Sequence, residues 1–471
     1  MVSIDVLADD VLLAIFDFCV ADALAEHFQF SKRRVKEDWQ TLVQVCRRWR
    51  CLVFASPRRL NLRLVCTPGT PAIDTLDVWP PLPLLIRNNY YDPPIMDNIL
   101  AVLKRSDRVY QISLRHLISS QLEEISAAMQ VPFPELTDLT IHLSVETKLV
   151  AIPDSFLGGS ASHLRSLYLA QIPFPGLPKL LLSATHLVNL CLHDIPQSAC
   201  FSPEMMASCL SALASLKLLQ LGRFPDPDTQ DQFPRTRSVL PSLTNLEFMF
   251  GDDSAYLEDL VARIDTPRLI HLQILFYRSI GFDTSQLAHF ISHTPKFKAC
   301  SEIHLVFGYY AIWVRFPLRP FDSKIIEELR IKISRWHVFS LVQVCTSSLP
   351  PISVSTVEHL YIYHGPPSRP HWHGSIESTL WLELLRPFTA VKNLYVSKEY
   401  VPHILPILQQ IVGGRMTELL PMVQNLFFEG YQSSGPRPEG IEQLISVLLL
   451  SGRTMTIFHW DKDSDRDRFR I

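Results

Sequence analysis

One short pattern returns along most of the chain: an apolar residue, two others, Leu or Ile, one more, and a closing apolar residue. It appears as LTDLTI (136–141), LRSLYL (164–169), LVNLCL (187–192), LKLLQL (216–221), LTNLEF (243–248) and LIHLQI (269–274). It continues as CSEIHL (300–305), IEELRI (326–331), VEHLYI (357–362), VKNLYV (391–396) and VQNLFF (423–428). VYQISL (109–114) is a weaker early copy, and PLPLLIRN (81–88) and TMTIFHW (454–460) read as degenerate ends. The central apolar positions 112, 139, 167, 190, 219, 246, 272, 303, 329, 360, 394 and 426 lie 23 to 34 residues apart. Alternation over the last three positions of each copy is strand-like, because successive side chains of a strand point to opposite faces. Between copies lie segments of helical period such as PIMDNILAVLKR (94–105), SPEMMASCLSAL (202–213) and IEQLISVLLL (441–450). A short strand followed by a helical crossover, repeated a dozen times in series, predicts a stack whose neighbours bury each other's apolar faces.

The spacing and the L-x-x-L-x-L core resemble leucine-rich repeats over roughly residues 80 to 460. The fold class expected is α/β: an N-terminal helical module, then an irregular leucine-rich-repeat solenoid with parallel strands on one face and helices on the other. Where that family places Asn or Cys to tie the turn backbone, this chain has Ile172, Ile195 and Phe224 in three copies. The alternative is an ordinary α/β domain with Leu-rich parallel strands, which also alternates apolar strands with helices. Twelve near-identical strands in series fit a doubly wound sheet poorly.

A content of 47% apolar and 19% charged residues is that of a folded, core-rich chain. Apolar runs are short and bounded by Pro, Ser or charge, so no membrane span is expected. The opening MVSIDVLADD is acidic and is not expected to act as a secretory signal. Nine scattered Cys without a C-x-x-C, and no N-x-[ST] sequon, suggest a reduced protein of the cytoplasm or nucleus. A net charge of −3 gives no reason to expect nucleic acid.

Residues 1–65 do not share the repeat and form a candidate helical module; residues 66–471 form the repeat region, after a TPGTP (67–71) hinge. Leu7, Val11, Ile15 and Phe18 make one helical stripe, with Leu12, Phe16 and Cys19 beside it. Trp39, Leu42, Cys46, Trp49 and Val53 recur at steps of three and four. Two or three such short helices are too few to bury their own faces well.

The run Leu7-x-Asp-Asp-Val-Leu-Leu-x-Ile-Phe16, followed by Leu42-x-x-Val-Cys-Arg-Arg-Trp-Arg-x-Leu-Val53, resembles the F-box at both ends. Ala8 stands where that pattern has Pro, and the segment Ala23 to Glu37 is longer than usual. An F-box followed by leucine-rich repeats is similar to the substrate receptors of Skp–cullin–F-box ubiquitin ligases, a family with large fungal sets. The resemblance implies a Skp-type adaptor, and through it a cullin, as partners. It assigns adaptor contact to Leu7, Val11, Leu12, Ile15, Leu42, Val45 and Trp49. Ten Lys or Arg lie between residues 32 and 63 against Glu37 and Asp38, a field that would speed encounter with an acidic adaptor. The bland alternative is a helical cap on the repeats with a solvated outer face, the chain then being an interaction scaffold without a ligase role.

Within each copy the residues between and after the last two apolar positions point out on the strand face. In the last third these include Arg330, Lys332, Tyr361, Tyr363, Tyr395 and Phe427, a mixture of cations and aromatics enriched at binding hot spots. They are the candidate contacts for a protein substrate, and Arg330 is expected next along from Tyr361 and Tyr395. Aromatic packing along the ladder is the competing explanation. No phosphate-binding, nucleophile-elbow or H-E-x-x-H motif occurs, so neither catalysis nor a cofactor is expected. His364, His371 and His373 form the one His cluster, without a paired Cys or a second His pair, and no metal is expected there. DKDSDRD (461–467) lacks the Gly of a calcium loop and reads as a solvated tail.

Overall fold

The computed structural model describes residues 7–26, 38–57, 59–69, 76, 78–88, 96–144, 150–197, 201–224, 237–250, 255–277, 284–297, 300–308, 311–317, 328–334, 338–348, 354–365, 378–412, 419–430, 440–451 and 455–461. The chain forms two compact units, Met1–Leu187 and Val188–Ile471.

The first unit opens with helices α1 (Asp9–Glu26), α2 (Asp38–Val45) and α3 (Arg47–Ala55). Asp9 and Asp10 occupy the first turn of α1, where carboxylates suit the exposed amides and the helix dipole. Cys46 caps α3, its Sγ accepting from Trp49 N at 3.5 Å. Leu12, Leu13 and Phe16 of α1, Leu42 and Val43 of α2 and Val53 of α3 are buried between the helices. The Phe16 and Trp49 rings meet at 4.7 Å. Arg48 Nη2 donates to Asp9 Oδ1 and to the Leu7 carbonyl, both at 2.6 Å, tying the start of α1 to α3. Trp39 Nε1 donates to the Arg63 carbonyl at 3.0 Å, and its ring stands edge-on to Trp79 at 5.2 Å.

Five parallel strands follow in chain order: β1 (Leu64–Cys66), β2 (Leu84–Arg87), β3 (Val109–Leu117), β4 (Asp138–Leu143) and β5 (Ser166–Ala170). Helices α4 (Met96–Leu103), α5 (Ser119–Ala128) and α6 (Leu177–Ser183) complete the unit. Cys66, Ile86, Ile112, Leu139 and Leu167 align across the ladder and are all buried. Since β1 already pairs with β2, a domain boundary after residue 65 falls inside a repeat strand.

The second unit contains β6 (Asn189–His193), β7 (Leu218–Gly222), β8 (Ser238–Val239), β9 (Asn245–Phe250), β10 (Ile264–Asp265), β11 (His271–Phe276) and β12 (Glu302–Phe307). It continues with β13 (Ala311–Pro317), β14 (Glu328–Ser334), β15 (His359–His364), β16 (Asn393–Val396), β17 (Asn425–Glu429) and β18 (Thr456–Trp460). The crossovers carry α7 (Pro203–Ser211), α8 (Ala255–Arg263), α9 (Ser285–His293), α10 (Val338–Gln343), α11 (Ser378–Leu385), α12 (Val401–Val412) and α13 (Ile441–Ser451). β8 and β10 pair only with each other among the described residues. The central repeat residues Leu190, Leu219, Leu246, Leu272, Ile303, Leu329, Leu360, Leu394 and Leu426 are all buried, as stacked repeats require.

The order is not the simple series that the repeats suggest. The sheet runs β6-β7-β9-β11-β14-β13-β12-β15-β16-β17-β18. Leu272 therefore lies beside Leu329, and Ile303 beside Leu360. Between them β13 runs antiparallel to both β12 and β14. Ile312, Val314 and Phe316 of β13 are buried, so this strand fills the ladder with an alternating apolar face of its own.

Three turns after strands share one device. Gln171, Asp194 and Arg223, directly after β5, β6 and β7, have φ of 62°, 53° and 50°. Asp194 N donates to the Gly222 carbonyl at 2.8 Å and Arg223 N to the Met249 carbonyl at 2.9 Å. After β6 and β7 main-chain bonds thus do what a turn Asn side chain does in the family pattern, and Ile172, Ile195 and Phe224 enter the core. A Cβ on Gly222 would lie 2.6 Å from His193 Nδ1, so close packing demands glycine there. No helix of the described residues is long and apolar enough to cross a membrane.

Candidate functional site

Two surfaces carry the residues singled out from the sequence. On the helical module Val11, Ile15, Phe18 and Val45 are 46%, 39%, 70% and 59% exposed. Val11, Ile15 and Phe18 form an open apolar stripe on α1 and Val45 is exposed at the end of α2, whereas Leu12 and Leu42 lie inside the helix packing. Leu7 and Trp49 are half-buried. Of the residues assigned to adaptor contact, Leu12 and Leu42 are thus buried within the module: a three-helix packing needs one face of each stripe for itself. Part of the basic gathering is engaged within the module, since Arg48 holds Asp9 and Arg50 Nε donates to the Val43 carbonyl at 2.9 Å. Lys32, Arg33, Arg34, Lys36 and Arg58 lie outside the described residues.

On the strand face of the second unit, one row can be followed from strand to strand. It begins Cys191, Gln220, Glu247, Gln273 and Arg330. It continues Arg315, His304, Tyr361, Tyr395, Phe427 and Phe458. The first part is polar. Gln220 Nε2 and Gln273 Nε2 each donate to Glu247 at 2.7 Å. Burial pushes the Glu247 carboxyl above the usual range, while the two amides and the nearby Lys332 and Arg330 act against it. Burial also pushes the Cys191 thiol up to about 12, which makes it a poor nucleophile.

The centre of the row is charged and closed on itself. Arg315 donates to Glu328 from Nε at 3.1 Å and from Nη2 at 3.0 Å, with both residues buried. Arg330 pairs with the other oxygen of Glu328. Trp313 takes two cations on its ring, Arg330 at 5.4 Å and Lys332 at 4.8 Å.

The last part is a column of rings. His304 stacks on Tyr361 at 4.4 Å, Tyr361 on Tyr395 at 4.1 Å, Tyr395 on Phe427 at 4.2 Å and Phe427 on Phe458 at 4.9 Å. In-register parallel strands impose this, because like positions repeat at ~4.8 Å. Trp460 lies over the column, with its ring 5.7 Å from Tyr395 and 6.2 Å from Tyr361. Tyr361 and Tyr363 are 2% and 0% exposed, which corrects the expectation that they face outward to a partner. Tyr395 and Phe427 are half-buried. Tyr361 and Tyr395 do stand side by side, but His304 and Arg315 separate them from Arg330. The physical reason is the inserted β13 together with a face that folds Trp460 onto its own aromatics.

Several residues of this face escaped the sequence reading. Asn425 Nδ2 donates to Asn393 Oδ1 at 2.7 Å, a rung signalled by the V-x-N-L of both copies. β13 was signalled by the lack of any helical-period segment between CSEIHL and IEELRI. Among the described residues no three His, Cys, Asp or Glu gather as a metal site, and His371 and His373 lie outside them.

No family model matches the chain, and no curated protein matches it. Among solved structures, the leucine-rich repeat-containing protein LegL7 from Legionella pneumophila is similar at 15% identity. The match covers 83% of this chain and 98% of that one, with a TM-score of 0.26. The repeat architecture therefore rests on the strand registers of this chain.

Proposed function

We propose that the chain is a non-catalytic protein-binding receptor: the N-terminal helices dock a Skp-type adaptor, and through it a cullin ubiquitin ligase, while the repeats hold a protein substrate. The observation that carries this reading is the open stripe of Val11, Ile15 and Phe18 on α1, with Val45 exposed on α2, on helices whose sequence resembles the F-box. Apolar side chains exposed together on a small module are the usual mark of a partner surface. The repeats supply a broad surface of the kind that solenoids use for partners.

The adaptor is tested by pull-down with the full chain. Ile15→Asp with Phe18→Asp should weaken capture of a Skp adaptor at least about thirtyfold, as loss of central apolar anchors does. Circular dichroism should stay unchanged, since both side chains are exposed. Trp49→Ala is a poorer probe because Trp49 packs on Phe16 within the module. A wild-type chain that captures no Skp adaptor would leave an interaction scaffold without a ligase role.

A further inference from the structure

Arg63, Arg87 and Arg115 belong to β1, β2 and β3 or their immediate approach, on the strand face of the first unit. Arg63 Cζ lies 4.7 Å over the Tyr110 ring and Arg115 Cζ 5.9 Å over the Tyr168 ring. Asn88 holds the Arg115 backbone at both ends, accepting from its N at 2.8 Å and donating to its carbonyl at 2.6 Å. Among the described residues no carboxylate pairs with any of these three arginines. By contrast Arg48, Arg223, Arg263, Arg315 and Arg330 each carry one. Asp138 is the one acidic residue in β1 to β5, and it accepts from Thr137 Oγ1 at 2.7 Å.

We propose that this face binds an acidic linear segment of a partner protein, its Asp or Glu carboxylates held by Arg87 and Arg115. A guanidinium offers a planar fork that matches a carboxylate with two parallel bonds. Arg87 is in register with Ser113, and Arg115 is two residues further along, about 7 Å by strand rise. The two arginines sit on neighbouring strands, so an acidic segment laid across β2 and β3 can offer one carboxylate to each. Nucleic acid fits less well: Tyr110 and Tyr168 lie under guanidinium groups and are not open to stacking bases. The proposal rests on the reading of the repeats as a protein-binding surface, but needs no adaptor.

The test is fluorescence anisotropy of the full chain with a labelled peptide alternating Glu with Gly, against one alternating Gln with Gly. The glutamate peptide should bind, and Arg87→Gln with Arg115→Gln should weaken it at least about tenfold with an unchanged melting temperature. Arg330→Gln, which changes an arginine already paired with Glu328, should leave binding unaltered. Equal binding of the glutamine peptide, no measurable binding of the glutamate peptide, or an unaffected double variant would each overturn the proposal. So would tighter binding of a labelled single-stranded oligonucleotide. Adaptor capture by the double variant should match wild type, which separates this failure from failure of the adaptor reading.

Discussion

Gln171, Asp194 and Arg223 hold a left-handed backbone that costs an L residue about 1–2 kcal/mol. Gln171 also carries a buried Oε1 with no hydrogen-bond partner among the described residues, a further penalty. Gln171→Gly should therefore be at least as stable as wild type in chemical denaturation. Gln171→Val, β-branched at positive φ, should be less stable than the glycine variant by at least about 1–2 kcal/mol. Equal midpoints for the two variants would contradict the strain. His271 supplies a pH dependence. Burial holds its pKa below the ordinary histidine value; Glu328 opposes this and Arg330 adds to it. The unfolded chain takes up that proton near pH ~6.5 while the folded chain does not. Stability should thus be intact above that pH and fall as pH drops toward the folded pKa. His271→Asn should flatten this slope in urea titrations at neutral and mildly acidic pH.

At the scale of elements, β13 is the least repeat-like strand and has the most demanding chemistry. It carries Arg315 into contact with Glu328, both buried. Removing one partner of a buried pair usually costs about 3–5 kcal/mol. Arg315→Ala should approach the lower end, because Arg330 still holds Glu328. Lys332→Ala, at a half-buried position over Trp313, should cost far less, and thermal melts of the two variants rank them. The element pattern was legible where one rule decides it: Leu219 or Leu394 must be buried because every copy places an apolar residue at that register. Strand order was not, because L-x-x-L-x-L says nothing about which neighbour a strand selects. The same limit blurred both candidate sites. Helical periodicity puts Val11 and Leu12 on adjacent stripes without saying which faces inward. Strand alternation puts Tyr361 on the strand face without revealing that Trp460 lies over it.

Across the whole molecule, cysteine burial gives a map of packing that can be checked in one experiment. Cys19 and Cys51 are exposed, whereas Cys66, Cys209, Cys300 and Cys345 are buried. Burial pushes the Cys300 and Cys345 thiols up to about 12, far from the thiolate that alkylating agents need. Iodoacetamide on native protein should label Cys19 and Cys51 first, with the buried four modified only after denaturation. Peptide mass spectrometry reading Cys300 at the rate of Cys51 would contradict the packing of the second unit.

The reversed placement of β12, β13 and β14 also sets a timetable. In a plain repeat stack each strand, as it leaves the ribosome, lands on the one made just before it. Here β12 settles elsewhere, and the edge of β11 stays uncovered until β14 arrives, after α9, β12 and β13 have been made. An uncovered parallel edge invites pairing with other chains. A chain ending at Pro317 is accordingly expected to sediment as aggregate, while the full chain stays dispersed. The second unit then closes like a clasp and not like a zip: no amount of progress along β6 to β11 secures it until one late strand has been threaded home.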